Sequence, residues 1–530
     1  MRILVLFCVA LGALLAQPGP ELLARIREES AAHSKVKDYA TQLIDGIGPR
    51  LTGSPNLAKA VEWARKTATV VGLEDVRTES WGEFGLGWEE RNVSLSLVQP
   101  FASPLIARAA PWSPPTDKDG VNAQVVAVKG FRSENDFEAY RGKLRGKIVL
   151  FGTAPSAPVV RPIVKPLFQR LSQQQLDGFA SQPIPPHQES NHSSFLNHAS
   201  LMEKAGRFFS AEKVAAVLVP SGNNDMGGAS GGTIYADTNY TFGWFVYQAK
   251  HAMPVPLAIL ATEHYGQLNR LLERNVPVSV KLNVDTKFSP GVQQGFNVFA
   301  EIPGLDPQRK QELVLVTAHL DSWSAGNGAT DDGAGVIIAM EAMRLLKATG
   351  AKPLRTIRLA LWTGEEQGAL GSREYVKRHV ADVPLRQSDA ALPEFLRHAE
   401  GAITAKSLHP LISAVYTLDA GGGKIRGIST GNPALVELFR QWLEPLRDLG
   451  AGMVWGGSDC GGDCASFAQA GIPTPSFKQD PLDYDTKTHH TNMDTLEHLI
   501  PEDLQQASII VASLLYNTAM HPEMLPRVQR

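Results

Sequence analysis

The chain has 530 residues, of which 43% are hydrophobic and 20% are charged. At roughly 150 residues per domain, this length predicts two or three domains with ordinary globular cores. The net charge of −3 gives no electrostatic reason to expect nucleic acid or an anionic membrane as a partner.

The N-terminus carries Arg2 followed by an apolar run, ILVLFCVALGALLA, at residues 3–16. This pattern is typical of a secretory signal peptide, which we place at residues 1–19. The run is short for a membrane span, and a buried N-terminal helix is the alternative. We therefore predict a secreted or periplasmic protein that is free of the membrane once the signal is removed.

Helices are predicted in residues 20–95, because apolar residues recur at helical spacing in YATQLIDGIG and in LAKAVEWARKTATVVGL, which stops at Gly72. Residues 96–285, here called the inserted module, contain short strand-like runs, AQVVAVKG, GKIVLF and VAAVLVP. Residues 155–194 within this module have little clear period, and we predict a long loop or lid there. The inserted module is therefore expected to be a separate β-rich domain.

Residues 286–522 alternate apolar runs suited to buried parallel strands with amphipathic helices, and a short tail follows at 523–530. The helical patterns are GVIIAMEAMRLLKA and NPALVELFRQWLEPLRDLG. The predicted strands are 313–318, 356–362, 411–418 and 472–477. We therefore expect an α/β fold, with a mostly parallel mixed sheet flanked by helices.

Histidine and carboxylate side chains follow each of these strands. In chain order they are His319, Asp321, Asp331, Glu365, Glu366, Asp419, His489 and His490. Because an open parallel sheet binds its ligand beyond the carboxyl ends of its strands, we expect these side chains to meet there. Singly, each has an ordinary alternative: Asp331 or Asp332 can cap the following helix, for example. Because four strand ends carry such residues, a shared binding site is favoured over four separate structural roles.

Imidazole nitrogen and carboxylate oxygen, without thiolate, suit zinc and related divalent ions. Two histidines and three or four carboxylates exceed what one tetrahedral ion needs, and they suit two ions that share a carboxylate. Adjacent Glu365 and Glu366 can divide the work, since side chains diverge in extended backbone. One can bind metal while the other accepts the proton of an attacking water. Asp321 can hold the imidazole N–H of His319 or a neighbouring ligand.

Two cysteines remain beyond the predicted signal, Cys460 and Cys464, in SDCGGDC. In an oxidising compartment this spacing favours a small disulfide loop. A soft metal site is the alternative, although two thiols alone make a poor one.

The ordered set HLD…TDDGAG, WTGEEQGALGS, TLDAGG and HHTNMDT resembles the zinc exopeptidases of the M28 class. GIGPRLTGSPNLAKAVEWA and the inserted module are most similar to the plasma glutamate carboxypeptidase branch, which carries a protease-associated domain inserted into the catalytic domain. The resemblance implies two zinc ions per chain. One would be held by His319 and Asp419, the other by Glu366 and His490, and both by Asp331.

The resemblance also implies that Glu365 is the general base and that Asp321 supports the first histidine. His489 stands where some relatives have tyrosine, and we hypothesise that it donates a hydrogen bond to the tetrahedral oxyanion. Cys464 stands where many relatives have a histidine, in the pattern SDH-x-SF. That departure removes no expected metal ligand.

The function predicted from these patterns is a metal-dependent exopeptidase that hydrolyses unblocked dipeptides or short peptides, in the manner of a carboxypeptidase or dipeptidase. An aminopeptidase is the alternative, because charged residues of both signs occur in the inserted module. Two alternatives come from other classes: a non-catalytic receptor-like ectodomain and a glutaminyl cyclase-type transferase. A homodimer is compatible with the resemblance, but no residue pattern indicates one.

Overall fold

The computed structural model describes residues 20–153, 168–184, 193–222 and 231–527. The predicted signal segment lies outside these ranges. Within them, no helix combines the length and the apolar character needed to cross a membrane.

The α-helices of the described residues have the following bounds. They are α1 (Pro20–His33), α2 (Val36–Ala40), α3 (Pro55–Val71), α4 (Gln173–Ala180), α5 (Ser193–Ala211), α6 (Thr262–Glu273), α7 (Ala334–Ala348), α8 (Leu370–Tyr375), α9 (Val436–Leu443), α10 (Gly462–Gln469) and α11 (Pro501–Met520). Helix α3 ends as predicted, because Gly72 adopts the left-handed conformation at its C-cap, with φ of 84°.

The strands of the described residues alternate with these helices. They are β1 (Glu74–Gln99), β2 (Ser103–Leu105), β3 (Ala107–Ala109), β4 (Val121–Val128), β5 (Ile148–Phe151), β6 (Ala216–Pro220), β7 (Leu257–Leu260), β8 (Ser279–Ile302), β9 (Leu313–His319), β10 (Thr356–Trp362), β11 (Ala381–Asp382), β12 (Thr404–Ala405), β13 (Ile412–Thr417), β14 (Ile425–Ser429), β15 (Met453–Trp455) and β16 (Ser476–Gln479). All but β11 and β12 join one mixed sheet.

The centre of the sheet is parallel and buried on both faces. Strand β9 pairs in parallel with β10 on one side and with β13 on the other. Val314 and Val316 of β9 pack in the core that contains α7 and α11. Leu313 and Leu315, which point to the opposite face, pack with residues of α8 and α10. Helices on both faces explain the unbroken apolar runs, and the predicted fold class is confirmed.

The predicted strands of residues 286–522 differ from the observed ones mainly at the last. The prediction for β16 began at residue 472, but the strand begins at Ser476. Pro473 and Pro475 precede it, and a proline has no N–H to donate to a strand ladder. Strands β14 and β15 were not predicted; β14 pairs antiparallel with β16 and so extends the sheet.

The inserted module has its own buried core, in which β4, β5, β6 and β7 lie side by side. Strands β1 and β8 pair antiparallel along nearly their whole length, from Glu74 opposite Glu301 to Gln99 opposite Ser279. The proposed domain boundaries at 95/96 and 285/286 fall inside these two strands. The division into domains, and the likeness of the module to a protease-associated domain, therefore remain predictions.

The predicted long loop at 155–194 contains ordered helix. Residues 154–167 and 185–192 lie outside the described ranges, but α4 lies between them, and Ser172 caps it by accepting a hydrogen bond from the Gln175 N–H. Just before α4, Arg170 forms ion pairs with Asp480 at 3.0 Å and with Asp503 at 2.8 Å. The helix is therefore tied to the catalytic half of the chain.

Candidate metal centre

The side chains predicted as ligands converge where the parallel strands end. His319 is the last residue of β9, and Glu366 follows β10 after a short turn. Asp419 follows β13, Asp331 precedes α7, and His490 lies in the loop after β16. The crevice at the carboxyl edge of the sheet thus collects all five.

Asp331 lies between two histidines and faces each with a different oxygen. Its Oδ1 is 3.2 Å from His319 Nε2, and its Oδ2 is 3.3 Å from His490 Nε2. A carboxylate that directs its two oxygens to two separate imidazoles has the arrangement needed to bridge two cations.

Each histidine has a further carboxylate beside it. His490 Nε2 is 3.2 Å from Glu366 Oε2, and His319 Nε2 is 3.7 Å from Asp419 Oδ1. His319, Asp331 and Glu366 form one group whose donor atoms all lie within 4.8 Å of one another, and Asp331, His489 and His490 form another. A third group consists of His319, Asp332 and Asp419, so that overlapping candidate metal sites surround Asp331 and His319.

Other acidic residues hold the backbone so that the Asp331 side chain is left for the centre. Asp332 Oδ2 accepts the His319 N–H at 3.1 Å, and its Oδ1 accepts the Gly335 N–H at 3.1 Å. Asp494 Oδ1 accepts the Thr330 N–H at 2.6 Å, and its Oδ2 accepts that of Asp331 at 3.3 Å. The helix-capping role left open between Asp331 and Asp332 belongs to Asp332.

Asp321 orients both the first histidine and the glutamate turn. Its main-chain oxygen accepts the hydrogen bond of His319 Nδ1 at 3.0 Å, which leaves Nε2 for a metal. Its carboxylate accepts the Thr52 hydroxyl at 2.9 Å and the N–H groups of Glu365 and Glu366, each at 3.3 Å. The expected support of His319 therefore comes from the main-chain oxygen of Asp321. The Asp321 side chain instead fixes the turn that carries Glu365 and Glu366.

Burial dominates the acid–base behaviour of the carboxylates. It raises the pKa of Glu365 well above its usual value, and the charge of Asp419 adds to this. Burial and the charge of Asp331 raise the pKa of Glu366 to about 7. Burial opposes ionisation of Asp331 as well, but the hydrogen bond from His319 and nearby histidine charges outweigh it and lower the pKa.

The three histidines respond differently to the same surroundings. Burial opposes the charged form of His319, but hydrogen bonds with Asp331 and Asp419 outweigh it and raise the pKa. Burial also opposes the charge of His490, yet the charge of Glu366 raises its pKa. Burial and the charge of His490 lower the pKa of His489. The carboxylates that raise the pKa of His319 and His490 are the groups whose charge a bound metal ion can neutralise.

The state of two carboxylate oxygens indicates whether the residues of the centre fit a cation. Among the described residues, Asp331 Oδ2 and Glu366 Oε1 are buried side-chain atoms without a hydrogen-bond partner. A buried anionic oxygen without a partner costs free energy, and coordination to a cation removes that cost. The donor set of imidazole and carboxylate is the one that zinc prefers. The residues present therefore fit a metal centre.

A cleft of about 800 Å³ opens over the centre. Asp331, Glu365, Glu366, Asp419 and both adjacent histidines reach it. Aromatic and charged side chains form the rest of its wall, among them Trp244, Phe395, Lys478, Tyr484 and Asp485. Trp244 belongs to the inserted module, so both parts of the chain line the cleft.

The cysteines of SDCGGDC close a loop at one side of this cleft. Cys460 and Cys464 form a disulfide, as predicted. Gly462 lies inside the loop, where a Cβ would be 2.5 Å from Glu365 Oε1 and 3.3 Å from Asp419 Oδ2. The loop therefore packs its backbone directly against the candidate base.

Three residues beside the centre, two of them buried, were not found from the sequence. Asp463 lies in the disulfide loop, and Tyr235 and Asp237 approach His490 from the inserted module. Asp463 lies beside Cys464 in the SDCGGDC pattern, which was read only for its cysteines. Nothing in the sequence pairs Tyr235 with His490, because the two are 255 residues apart.

A parallel α/β sheet whose carboxyl edge gathers buried histidines and carboxylates beneath an open cleft defines a metal-dependent hydrolase. Residues 297–515 match the model of peptidase family M28. This part of the chain is therefore a family M28 peptidase domain, and the match supports a metallo-exopeptidase.

The chain is also similar to individual peptidases, to one of them along most of its length. It is 27% identical to carboxypeptidase Q of Mus musculus over 489 residues, which cover 92% of this chain and 86% of that protein. It is 29% identical to aminopeptidase YwaD of Bacillus subtilis over 218 residues, which cover 41% of this chain and 43% of that protein.

Solved structures share the fold. A peptidase M28 precursor from Shewanella amazonensis superposes with a TM-score of 0.64 at 23% identity, covering 96% of this chain and 99% of the other. A zinc aminopeptidase from Bacillus subtilis superposes with a TM-score of 0.53 at 19% identity, covering 92% of this chain and 94% of the other.

Proposed function

We propose that the chain is a zinc exopeptidase with two ions per chain that hydrolyses unblocked dipeptides or short peptides. The observation that carries this proposal is the placement of Asp331, whose two oxygens face His319 and His490 separately. Zinc is favoured by the donor set and by the family, in which the solved Bacillus subtilis relative is a zinc aminopeptidase.

The ligands divide as the sequence resemblance implies. His319 and Asp419 would hold one ion, Glu366 and His490 the other, and Asp331 both. When bound, the ions would supply an acidified water and polarise the carbonyl of the peptide bond.

In this scheme Glu365 is the general base. It faces the cleft beside Asp419, is fixed through its N–H by Asp321, and has a pKa raised by burial. A carboxylate with a raised pKa accepts the proton of the attacking water and returns it to the leaving amine near neutral pH.

His489 is proposed to stabilise the oxyanion. Its ring stacks on that of His490, with centroids 3.9 Å apart, and its side chain is 33% exposed toward the cleft. Its Nε2 lies 3.8 Å from Asp331 Oδ2, close to where the scissile carbonyl must bind. A neutral imidazole with one N–H can donate a hydrogen bond to the developing negative oxygen.

Which end of the peptide is cleaved is proposed from the relative that matches most of the chain. Similarity to carboxypeptidase Q over 92% of the chain favours release of a C-terminal residue or the splitting of dipeptides. Similarity to aminopeptidase YwaD over 41% of the chain supports the alternative. The cleft offers Lys478 for a substrate carboxylate and Asp485 for a substrate amine, so its charges allow both.

The remaining expectations belong to the same proposal. Export through the N-terminal signal, a protease-associated inserted module and a homodimer are consistent with it. The presence of every proposed metal ligand and of the proposed base argues against a receptor-like ectodomain. A cyclase would use a similar ligand set, and the inserted module argues against it.

The test uses purified mature protein, zinc and an unblocked tripeptide of three different residues. Mass spectrometry identifies the first fragment, and a chelator-treated sample is the control. We expect early release of the last residue, together with hydrolysis of the corresponding dipeptide. Early release of the first residue establishes the aminopeptidase alternative. A zinc-loaded protein that cleaves neither peptide, but cyclises a peptide with N-terminal glutamine, contradicts the proposal.

A further inference from the structure

The inserted module is attached to the very loop that carries His490. The Ala236 N–H donates to the His490 carbonyl at 2.9 Å, and the Asn492 N–H donates to the Ile234 carbonyl at 3.0 Å. The Asn492 side chain accepts the Ile234 N–H at 2.7 Å. These bonds place residues 234–236 in fixed register with the metal loop.

Tyr235 lies within this contact and reaches the ring of His490. Its hydroxyl is 3.0 Å from His490 Nδ1. His490 Nε2 already faces Asp331 and Glu366, so Nδ1 is the nitrogen left for support. An imidazole that binds metal through Nε2 carries its proton on Nδ1, and that N–H can donate to the tyrosine oxygen.

Asp237 stands behind this tyrosine. It is 5% exposed, and its Oδ2 is 3.5 Å from His490 Nδ1, the nitrogen that the Tyr235 hydroxyl also faces. Asn239 holds the carboxylate through its N–H at 2.7 Å and its side-chain amide at 2.9 Å. His490 Nδ1 therefore faces both a tyrosine hydroxyl and an anchored carboxylate.

We propose that Tyr235, backed by Asp237, is a positioning residue that orients His490 for metal binding. The inserted module then supplies part of the metal centre as well as a wall of the cleft. This inference rests on the proposed function for its assignment of His490 as a zinc ligand. A ligand whose far nitrogen is held by a second hydrogen bond loses less rotational freedom on binding the ion.

Tyr240 provides a matched control. Its ring packs against that of Tyr235, with centroids 5.7 Å apart, and it lies in the same segment. Its hydroxyl, however, lies against Gly222, where it fills the space that a Cβ would need. Tyr235→Phe and Tyr240→Phe therefore remove the same group from neighbouring positions, and only the first touches the metal loop.

The experiment follows zinc release from the full-length, zinc-loaded protein into a chelating dye. We expect Tyr235→Phe to release one of its two zinc ions about 10–100-fold faster than the parent, as losses of such supporting groups do. Tyr240→Phe should release both at the parent rate. Asp237→Asn should have a smaller effect than Tyr235→Phe, because its side chain lies farther from His490 Nδ1, at 3.5 Å against 3.0 Å for the tyrosine hydroxyl. With a dipeptide substrate, kcat should fall in Tyr235→Phe at saturating zinc while KM changes little.

Parent-like zinc release from Tyr235→Phe overturns the inference, and so does an equal acceleration in Tyr240→Phe, which indicates general loosening. If the parent binds two zinc ions but hydrolyses no peptide, the proposed function fails while the Tyr235 effect on release still stands. If the parent hydrolyses peptides and Tyr235→Phe matches it in release and kcat, only the inference fails. A parent that binds no zinc overturns both.

Discussion

Asp331 and Asp332 are neighbours of identical chemistry, yet their surroundings give them different tasks. Both oxygens of Asp332 accept backbone N–H groups, from His319 and Gly335. Both oxygens of Asp331 face histidine nitrogens instead. A carboxylate whose lone pairs are used by the backbone serves the fold, whereas one facing imidazoles can bind cations.

The substitution Glu365→Gln tests whether this residue is the general base. The amide cannot accept a proton, so we expect kcat to fall by at least about 10²–10⁴-fold, the usual contribution of a general base. Zinc content should stay at the parent value, because Glu365 is not among the proposed ligands. The control is Glu437→Gln on α9, where the side chain is 70% exposed. Full activity of Glu365→Gln would show that another group takes the proton.

His489→Ala tests the oxyanion role. If the imidazole donates to the developing charge, its removal should lower kcat by about 10²-fold with both zinc ions retained. His33→Ala on α1, whose side chain is 68% exposed, is the control. Steady-state kinetics together with metal analysis separate the outcomes. An unchanged kcat removes the oxyanion role, and loss of zinc makes His489 a ligand.

At the scale of an element, α10 and the disulfide before it form one wall of the active cleft. Gly462 begins the helix with φ of +53°, a conformation that L-residues with side chains rarely adopt. Its missing Cβ gives Glu365 and Asp419 their room. The Cys460–Cys464 bond closes the loop that contains this glycine. The loop therefore affects catalysis by limiting the space beside Glu365 and Asp419, because its backbone packs against these two side chains.

Gly462→Ala should impair activity much more than Gly461→Ala. The new methyl group would contact Glu365 Oε1, while a Cβ at Gly461 meets nothing within 4 Å and the backbone there is extended. We expect at least a tenfold loss of kcat/KM, equivalent to about 1.4 kcal/mol, for Gly462→Ala alone. Kinetic assays of both variants decide it. Equal activities would mean that the loop moves away from the base without cost.

Over the whole molecule, two hydrophobic cores are joined by the shared strands β1 and β8. The metal centre lies in the crevice at the carboxyl edge of the parallel strands. Tyr235 and Trp244 approach this crevice from the inserted module. Several buried carboxylates meet there, and bound cations would neutralise them. The centre should therefore contribute to the stability of the fold as well as to catalysis.

Removing metal should lower the unfolding temperature of the intact protein. Ions that bind only the folded state stabilise it by about 2.7 kcal/mol at a hundredfold excess over Kd and by about 4.1 kcal/mol at a thousandfold excess. Scanning calorimetry of zinc-loaded and chelator-treated samples measures the shift, and added zinc should restore it. Identical transitions would show that the carboxylates are satisfied without cations.

The sequence alone was sufficient for the α/β class and for most of the parallel strands. Runs such as 313–318 and 356–362 are largely apolar because both faces of the sheet are covered, and such runs stand out in any sequence. The late start of β16 and the short strands β14 and β15 escaped prediction, because pairing with neighbours defines them more than their own composition does.

The candidate ligands could also be named from the sequence, since histidine and carboxylate types at consecutive strand ends carry their chemistry with them. Which oxygen of Asp331 faces which histidine was decided only by the fold, as was the capping role of Asp332. The support of His490 by Tyr235 was likewise invisible, because it joins residues 255 positions apart. Residue types are local properties, whereas contacts between distant segments exist only once the chain has packed.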